Sequence, residues 1–178
     1  FSVETKNPVV IYRLPGVFGK WSKPNYNSVV ATFCYNIAND LPIKIHDKTV
    51  MLELAYIDDV VDELLELLVD MPKELTCTGL KNTYQISVGQ LAEQIVSFKD
   101  YRNNLFSERV GIGLTRALYS TYVSFLSPEQ FTYDLPMHSD DRGVFVEVLK
   151  TLDSGQFSFF TVKPGVTRGS HYHHTKTE

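Results

Sequence analysis

From Pro8 to Tyr12 the chain is a short, β-branched apolar run closed by Pro15-Gly16, which predicts a buried strand. A Gly- and Pro-rich loop follows from Arg13 to Trp21. Beyond it Tyr26, Val29, Val30, Phe33 and Ile37 recur at the spacing of one helix face, so a helix is predicted with Asn25 or Asn27 as its cap and Pro42 as its stop. Ile43–Ile45 and Val50–Leu54 read as two short strands, arranged as a hairpin around His46-Asp47-Lys48. Tyr56-Ile-Asp58-Asp59 then opens a second helix that buries Ile57, Val60, Val61, Leu64, Leu65 and Leu68, with its acids at the positive end of the helix dipole. Thr83–Ile86 predicts another strand. Ser87-Val-Gly-Gln90 has the form of a capping box and opens a third helix through Leu91, Ile95 and Phe98.

From Phe131 the period changes from 3.6 to 2. Phe131, Tyr133 and Leu135 alternate with polar neighbours, as do Val144, Val146 and Val148 against Phe145, Glu147 and Leu149, and then Gln156 to Val162. Turn residues at Asp140–Gly143 and Asp153–Gly155 separate these runs. The weakly patterned stretch from Tyr101 to Ser127 is the expected linkage, and its Gly111-Ile-Gly113 lacks the third glycine and the preceding strand of a dinucleotide fingerprint. The expected organisation is therefore α/β followed by all-β: an α/β unit over residues 1–118, including a linker from about 101, and the first strands of a barrel or jelly roll over 119–178.

Composition narrows the class. A chain of 178 residues that is 43% hydrophobic and 12% aromatic has enough apolar material for an ordinary core. Seventeen Lys and Arg against 21 Asp and Glu give a net charge of −4 with no basic run, which argues against nucleic acid or an anionic membrane as partner. No stretch approaches the roughly 18 apolar residues of a membrane span, and no basic-then-apolar signal region opens the chain. Cys34 and Cys77 have neither metal nor redox spacing. The expectation is a cytoplasmic protein.

Candidate chemistry concentrates at the end of the chain, where His171, His173, His174 and Glu178 fall within eight residues after Gly165 and Gly169. On a strand, His171 and His173 share a face, and Glu178 can return across a turn to join them. Two neutral imidazoles and a carboxylate suit Zn²⁺ or a related divalent ion. Earlier in the chain, Arg13 and Lys20 supply charge in the loop at the C-terminal end of the first strand, the edge where open α/β sheets bind ligands; on loop composition alone, a turn with two solvated cations is the favoured reading. Capping accounts for Asp58-Asp59 without a catalytic role.

Two resemblances give these residues roles. Arg13-Leu-Pro-Gly-Val-Phe-Gly-Lys-Trp21, then Ala55-Tyr-Ile-Asp-Asp-Val60, then Tyr84-Gln-Ile-Ser-Val-Gly89 follow the order found in the C-terminal half of the Rossmann-like, NAD(P)-binding extended short-chain dehydrogenases/reductases, which act on nucleotide sugars. The resemblance implies that Arg13, Pro15, Gly16 and Phe18 lie beside NADPH and that Lys20, Asn25 and Asn27 lie beside the sugar nucleotide. The family often has Asn where this chain has Gly16, so a substrate contact there is in doubt. The family's Tyr-x-x-x-Lys and Gly-rich phosphate loop are expected before Phe1; Tyr172-x-x-x-Lys176 lies inside the His cluster and matches by chance.

The β part resembles the cupin sugar-nucleotide epimerases of 4-keto-6-deoxy sugars, through Asp140-Asp-Arg142-Gly-Val-Phe-Val-Glu147 and Lys163-Pro-Gly-Val-Thr-Arg168-Gly-Ser-His171-Tyr172. It implies that Arg142, Glu147 and Arg168 face the nucleotide diphosphate and sugar. His171 matches either the catalytic base or, with His173 and Glu178, a zinc ligand. One imidazole cannot do both, since a metal-bound ring has no lone pair left to accept the proton; the complete metal spacing favours ligation and leaves His174 outside the ligand set. Together the two parts resemble the bifunctional capsular polysaccharide reductase/epimerases that make the precursor of UDP-N-acetyl-L-fucosamine. That implies a homodimeric enzyme acting on a UDP-activated 4-keto-6-deoxy amino sugar, with C3 epimerisation in the cupin part and NADPH-dependent C4 reduction in the other. Two competing readings are a cupin metal that is purely structural and a non-catalytic sugar-nucleotide-binding or assembly module.

Overall fold

The computed structural model describes residues 7–169 and 174. The predicted first strand is β1 (Val10–Tyr12), which pairs in parallel with β4 (Thr76–Thr78), and the Arg13 N–H extends the ladder to the Thr78 carbonyl at 3.0 Å. β2 (Gly16–Phe18) lies inside the stretch read as a loop. Its local residues signal a turn, but β3 (Met51–Tyr56) offers a parallel partner from Gly16 against Leu54 to Phe18 against Tyr56. On the other side of β3 runs β5 (Tyr84–Ser87), antiparallel.

Three helices bury this sheet. In α1 (Val29–Ala38) the stripe of Val30, Phe33, Cys34 and Ile37 faces inward, but the cap is Ser28, whose Oγ accepts the Ala31 N–H at 3.2 Å. Asn25 and Asn27 therefore do not cap the helix, and Tyr26, 71% exposed, precedes it instead of joining the stripe. The expected capping box does open α3 (Val88–Asn104), with Ser87 and Gln90 satisfying each other's backbone donors. α4 (Gly113–Val123) adds Leu118 and Tyr122 to the same core as Leu91, Ile95 and Phe98. Residue 118, the expected domain boundary, thus falls in the middle of a helix whose buried side chains lie on both sides of it.

Other expectations are corrected. Ile43–Ile45 forms no strand: both isoleucines pack on the core, and Asp47 takes the Thr49 amide and hydroxyl into a tight turn. The second helix, α2 (Ile57–Glu66), buries Val60 and Glu63, whereas Val61, Leu64, Leu65 and Leu68 are exposed. Nothing among the described residues covers that face. The buried Glu63 carboxylate accepts the Lys81 N–H at 2.9 Å. Phe131 to Leu135 is a strap, not a strand. It begins with a 3₁₀ turn over Pro128–Phe131 and is held by Gln130 Nε2 on the Ala38 carbonyl and by the hydroxyls of Tyr133 and Tyr101, 3.2 Å apart.

The β part is a meander of β6 (Met137–Asp140), β7 (Gly143–Lys150) and β8 (Gln156–Phe160), with β7 central and bulged between Glu147 and Leu149. Gly143 has φ +143°, and a Cβ there would overlap the Thr161 carbonyl, so no other residue fits the turn. One backbone seam joins the parts. The Lys150 N–H donates to the Leu105 carbonyl at 2.7 Å, and the Ser107 N–H donates to the Lys150 carbonyl at 2.8 Å.

Candidate functional site

The C-terminal ends of β1, β2 and β3 carry the first cluster. Arg13 is exposed immediately after β1. Lys20, two residues past β2, donates from Nζ to Asp58 Oδ2 at 3.2 Å in the first turn of α2, and this bond, more than any other influence, raises the ammonium pKa. Asp59, one residue on, accepts the Tyr84 hydroxyl at 2.9 Å. The acids at the start of α2 therefore do more than favour its dipole. Tyr56, the last residue of β3, is 4% exposed, and its hydroxyl has no hydrogen-bond partner. Burial, and then the nearby Asp58, push that hydroxyl's pKa up.

Of the four residues expected at the cofactor, Arg13 remains suited to an anionic group as an exposed cation, and Pro15 is half-buried. The Phe18 side chain is 1% exposed and packs in the core against Tyr56, with ring centroids 5.5 Å apart and the rings tilted by 46°. Gly16 sits within β2, where a Cβ would lie 3.3 Å from the Glu53 carbonyl and from the Leu54 side chain. Its missing side chain serves the β2–β3 approach. Asn25 and Asn27 are exposed, and the Asn25 N–H is tied to Thr32 Oγ1 at 2.9 Å.

The second cluster lies on the β meander. Asp140 gathers both expected arginines: Arg142 donates Nε at 2.9 Å and Nη2 at 2.6 Å to one carboxylate oxygen, and Arg168 donates Nη2 at 3.0 Å to the other. The N–H groups of Arg142 and Gly143 complete the cradle. Arg142 above all holds the Asp140 carboxyl down at about 2. One carboxylate between two guanidiniums leaves a net positive charge, already oriented, for an anion. Arg168 also lies over the Phe160 ring at 5.9 Å, and its buried Nε has no partner.

Register places Phe145 opposite both His138 and Phe160, and Glu147 opposite Ser158, so these side chains share a face. Glu147 is not on the arginines; it pairs with Lys150 at 2.9 Å. Asp140, His138 and Phe160 were missed as site residues. The alternation in Met137-His138-Ser139-Asp140 is the available signal. His171, His173 and Glu178 lie outside the described residues, and His174 is exposed. Among the described residues no group of three or more metal-capable side chains occurs. A cleft of about 520 Å³ lined by Gln85, Gln90, Glu93, Gln94 and Glu108 contains none of the expected site residues.

Comparison with known proteins places this geometry. Residues 138–178 match the polysaccharide biosynthesis C-terminal domain. The chain is 60% identical over 171 residues to the UDP-2-acetamido-2,6-beta-L-arabino-hexul-4-ose reductase of Pseudomonas aeruginosa, covering 96% of this chain and 46% of that protein. CapF, a capsular polysaccharide assembling protein, is 42% identical. Its structure with the inhibitor 3-isopropenyl-tropolone superposes with a TM-score of 0.88, over 98% of this chain and 51% of that one; the Staphylococcus aureus protein gives 0.87 over 98% and 47%. The chain spans about half the length of these relatives. Thermus thermophilus UDP-glucose 4-epimerase, solved with NAD, is 13% identical and matches 70% of this chain and 48% of that one at a TM-score of 0.55, a likeness of fold alone. No helix among the described residues is long and apolar enough to cross a membrane.

Proposed function

We propose that the chain belongs to a cytoplasmic, homodimeric enzyme of capsular polysaccharide synthesis that epimerises a UDP-4-keto-6-deoxy-HexNAc at C3 and reduces its C4 ketone with NADPH. The 60% identity to a UDP-hexulose reductase over nearly the whole chain carries this reading. The α/β part, taken through Leu126 because α4 packs into its core, is the reductase unit of the extended short-chain dehydrogenase/reductase type. The β meander after the Phe131 strap is the start of a cupin epimerase.

The ketone at C4 acidifies the C3 proton, so a base can remove it and an acid can return it to the other face. Arg142 and Arg168, preset by Asp140, hold the diphosphate through bidentate contacts. Phe145 and Phe160 form an apolar floor beside them. On the reductase side NADPH supplies hydride to C4, and Arg13 supplies a cation at the strand ends for the cofactor. His171, His173 and Glu178 are proposed to hold a divalent metal, zinc by choice of donors. A tropolone bears adjacent oxygens that chelate such ions, and a tropolone inhibits CapF.

The test is NADPH oxidation by the full-length enzyme on a UDP-4-keto-6-deoxy-HexNAc. Turnover is expected, and its absence would rule out the reductase. With deuterated solvent, label is expected at C3, and His173→Ala should lose both bound zinc and this exchange; exchange at the wild-type rate in the zinc-free variant would remove the metal from the epimerase reading.

A further inference from the structure

Between Arg13 and Asn27 the chain carries three cations, Arg13, Lys20 and Lys23, and among the described residues only Lys20 is paired with a carboxylate, that of Asp58 at 3.2 Å, in a protein of net charge −4. Within that stretch Trp21, a side chain with a large apolar surface, is 82% exposed. Its backbone is also in the left-handed region at φ +60°, which is unfavourable for a bulky residue. The loop is nevertheless pinned. The Trp21 N–H donates to Ser124 Oγ at 3.3 Å and the Ser22 hydroxyl to the Gly19 carbonyl at 2.9 Å, while a Cβ on Gly19 would overlap the Ile57 side chain. A strained backbone is thus held in place to present an indole that packs against little of its own protein. The presentation occurs just beyond the C-terminal end of β2, beside Lys20 and Lys23.

We propose that Trp21 is the platform on which the uracil ring of the UDP-sugar stacks, with Lys23 beside it as a cation for the diphosphate. A flat, sequence-tolerant π-face suits a nucleobase, and the surplus of positive charge suits the phosphates that come with it. Tyr26, the other exposed aromatic of the loop, already has the Lys23 ammonium over its ring at 5.3 Å. This inference rests on the UDP-sugar reading above.

Trp21 is the single tryptophan of the chain, so its fluorescence reports the platform directly. Titration of the 178-residue chain with UDP is expected to change that emission saturably, whereas inorganic pyrophosphate should leave it unchanged. By calorimetry, Trp21→Ala should weaken UDP binding roughly tenfold to a hundredfold, and Trp21→Phe should keep it within about threefold of wild type. Far-UV circular dichroism checks that both variants are folded. UDP binding that is equal in wild type and Trp21→Ala, or no UDP binding to the wild-type chain, would overturn the platform; the UDP-sugar reading stands or falls separately on turnover by the full-length enzyme. Emission that responds equally to pyrophosphate, or that follows protein concentration instead of UDP, would also overturn the platform, the latter marking a contact between copies of the chain.

Discussion

Asp140 illustrates how much one carboxylate decides. It accepts from two arginine side chains and two backbone amides, and its pKa falls from an ordinary 3.8 to about 2, chiefly through the Arg142 guanidinium. A depressed carboxyl contributes stability that is fully present above about pH 3.8 and is lost as pH falls through about 2. Solvent screens this exposed pair, so the effect on global stability is small; local order of the arginines is the sensitive quantity. A carboxyl-carbon NMR titration should place the Asp140 midpoint near 2, and Arg142→Ala should return it most of the way to normal. An unshifted midpoint in that variant would mean that Arg142 is not the cause. Both arginines were legible only through the resemblance to the cupin epimerases, since a turn beside a glycine is equally a place for a solvated arginine. Sequence reading passed over Asp140, since the residue that organises a charged site is defined by what it faces across a turn, and spacing alone does not reveal that.

For the elements, local chemistry was legible where it is self-contained. The Ser87–Gln90 box closes within one turn and needs no partner from elsewhere, and it occurs where predicted. Ser87→Ala should therefore lower the unfolding free energy by about 1 kcal/mol in urea titration, and Ser87→Asp should restore most of it; a silent Ser87→Ala would show the helix start to be held by packing alone. Elements whose local residues point one way and whose distant neighbours point another were not legible. β2 reads as a Gly-Pro loop until β3 lies beside it, and the Ile43–Ile45 run reads as a strand although its isoleucines go to the core and no ladder forms. In α2 the apolar stripe is wider than the surface available to it, so the helix was predicted correctly and its buried face was not.

Across the whole molecule, a three-stranded meander is the smallest sheet that can stand alone, and this one leaves Phe157, Phe159 and Phe160 all at least half exposed. Its attachment to the α/β part is a seam of main chain. Leu105 ends α3 in the left-handed region at φ +61° and is 2% exposed; its carbonyl accepts from Lys150, the last residue of β7, whose own carbonyl accepts from Ser107. Lys150 also places its ammonium over the Phe106 ring at 5.5 Å, and Arg109 pairs with Asp153 just beyond. The α/β core does not need this seam, because Leu91, Ile95 and Leu118 are buried among the helices without help from the β part. The meander does need it. Ser107→Pro removes the donor to the Lys150 carbonyl, a bond whose net contribution is about 0.5–1.5 kcal/mol. Amide hydrogen exchange in β7 should accelerate by roughly twofold to tenfold in that variant, while the amides around Ile95 in α3 keep their wild-type protection. If α3 and β7 loosened together, the two parts would form a single cooperative unit and the seam would be no boundary; if neither changed, the ion pair and ring contacts beside it would be sufficient to hold the meander in place.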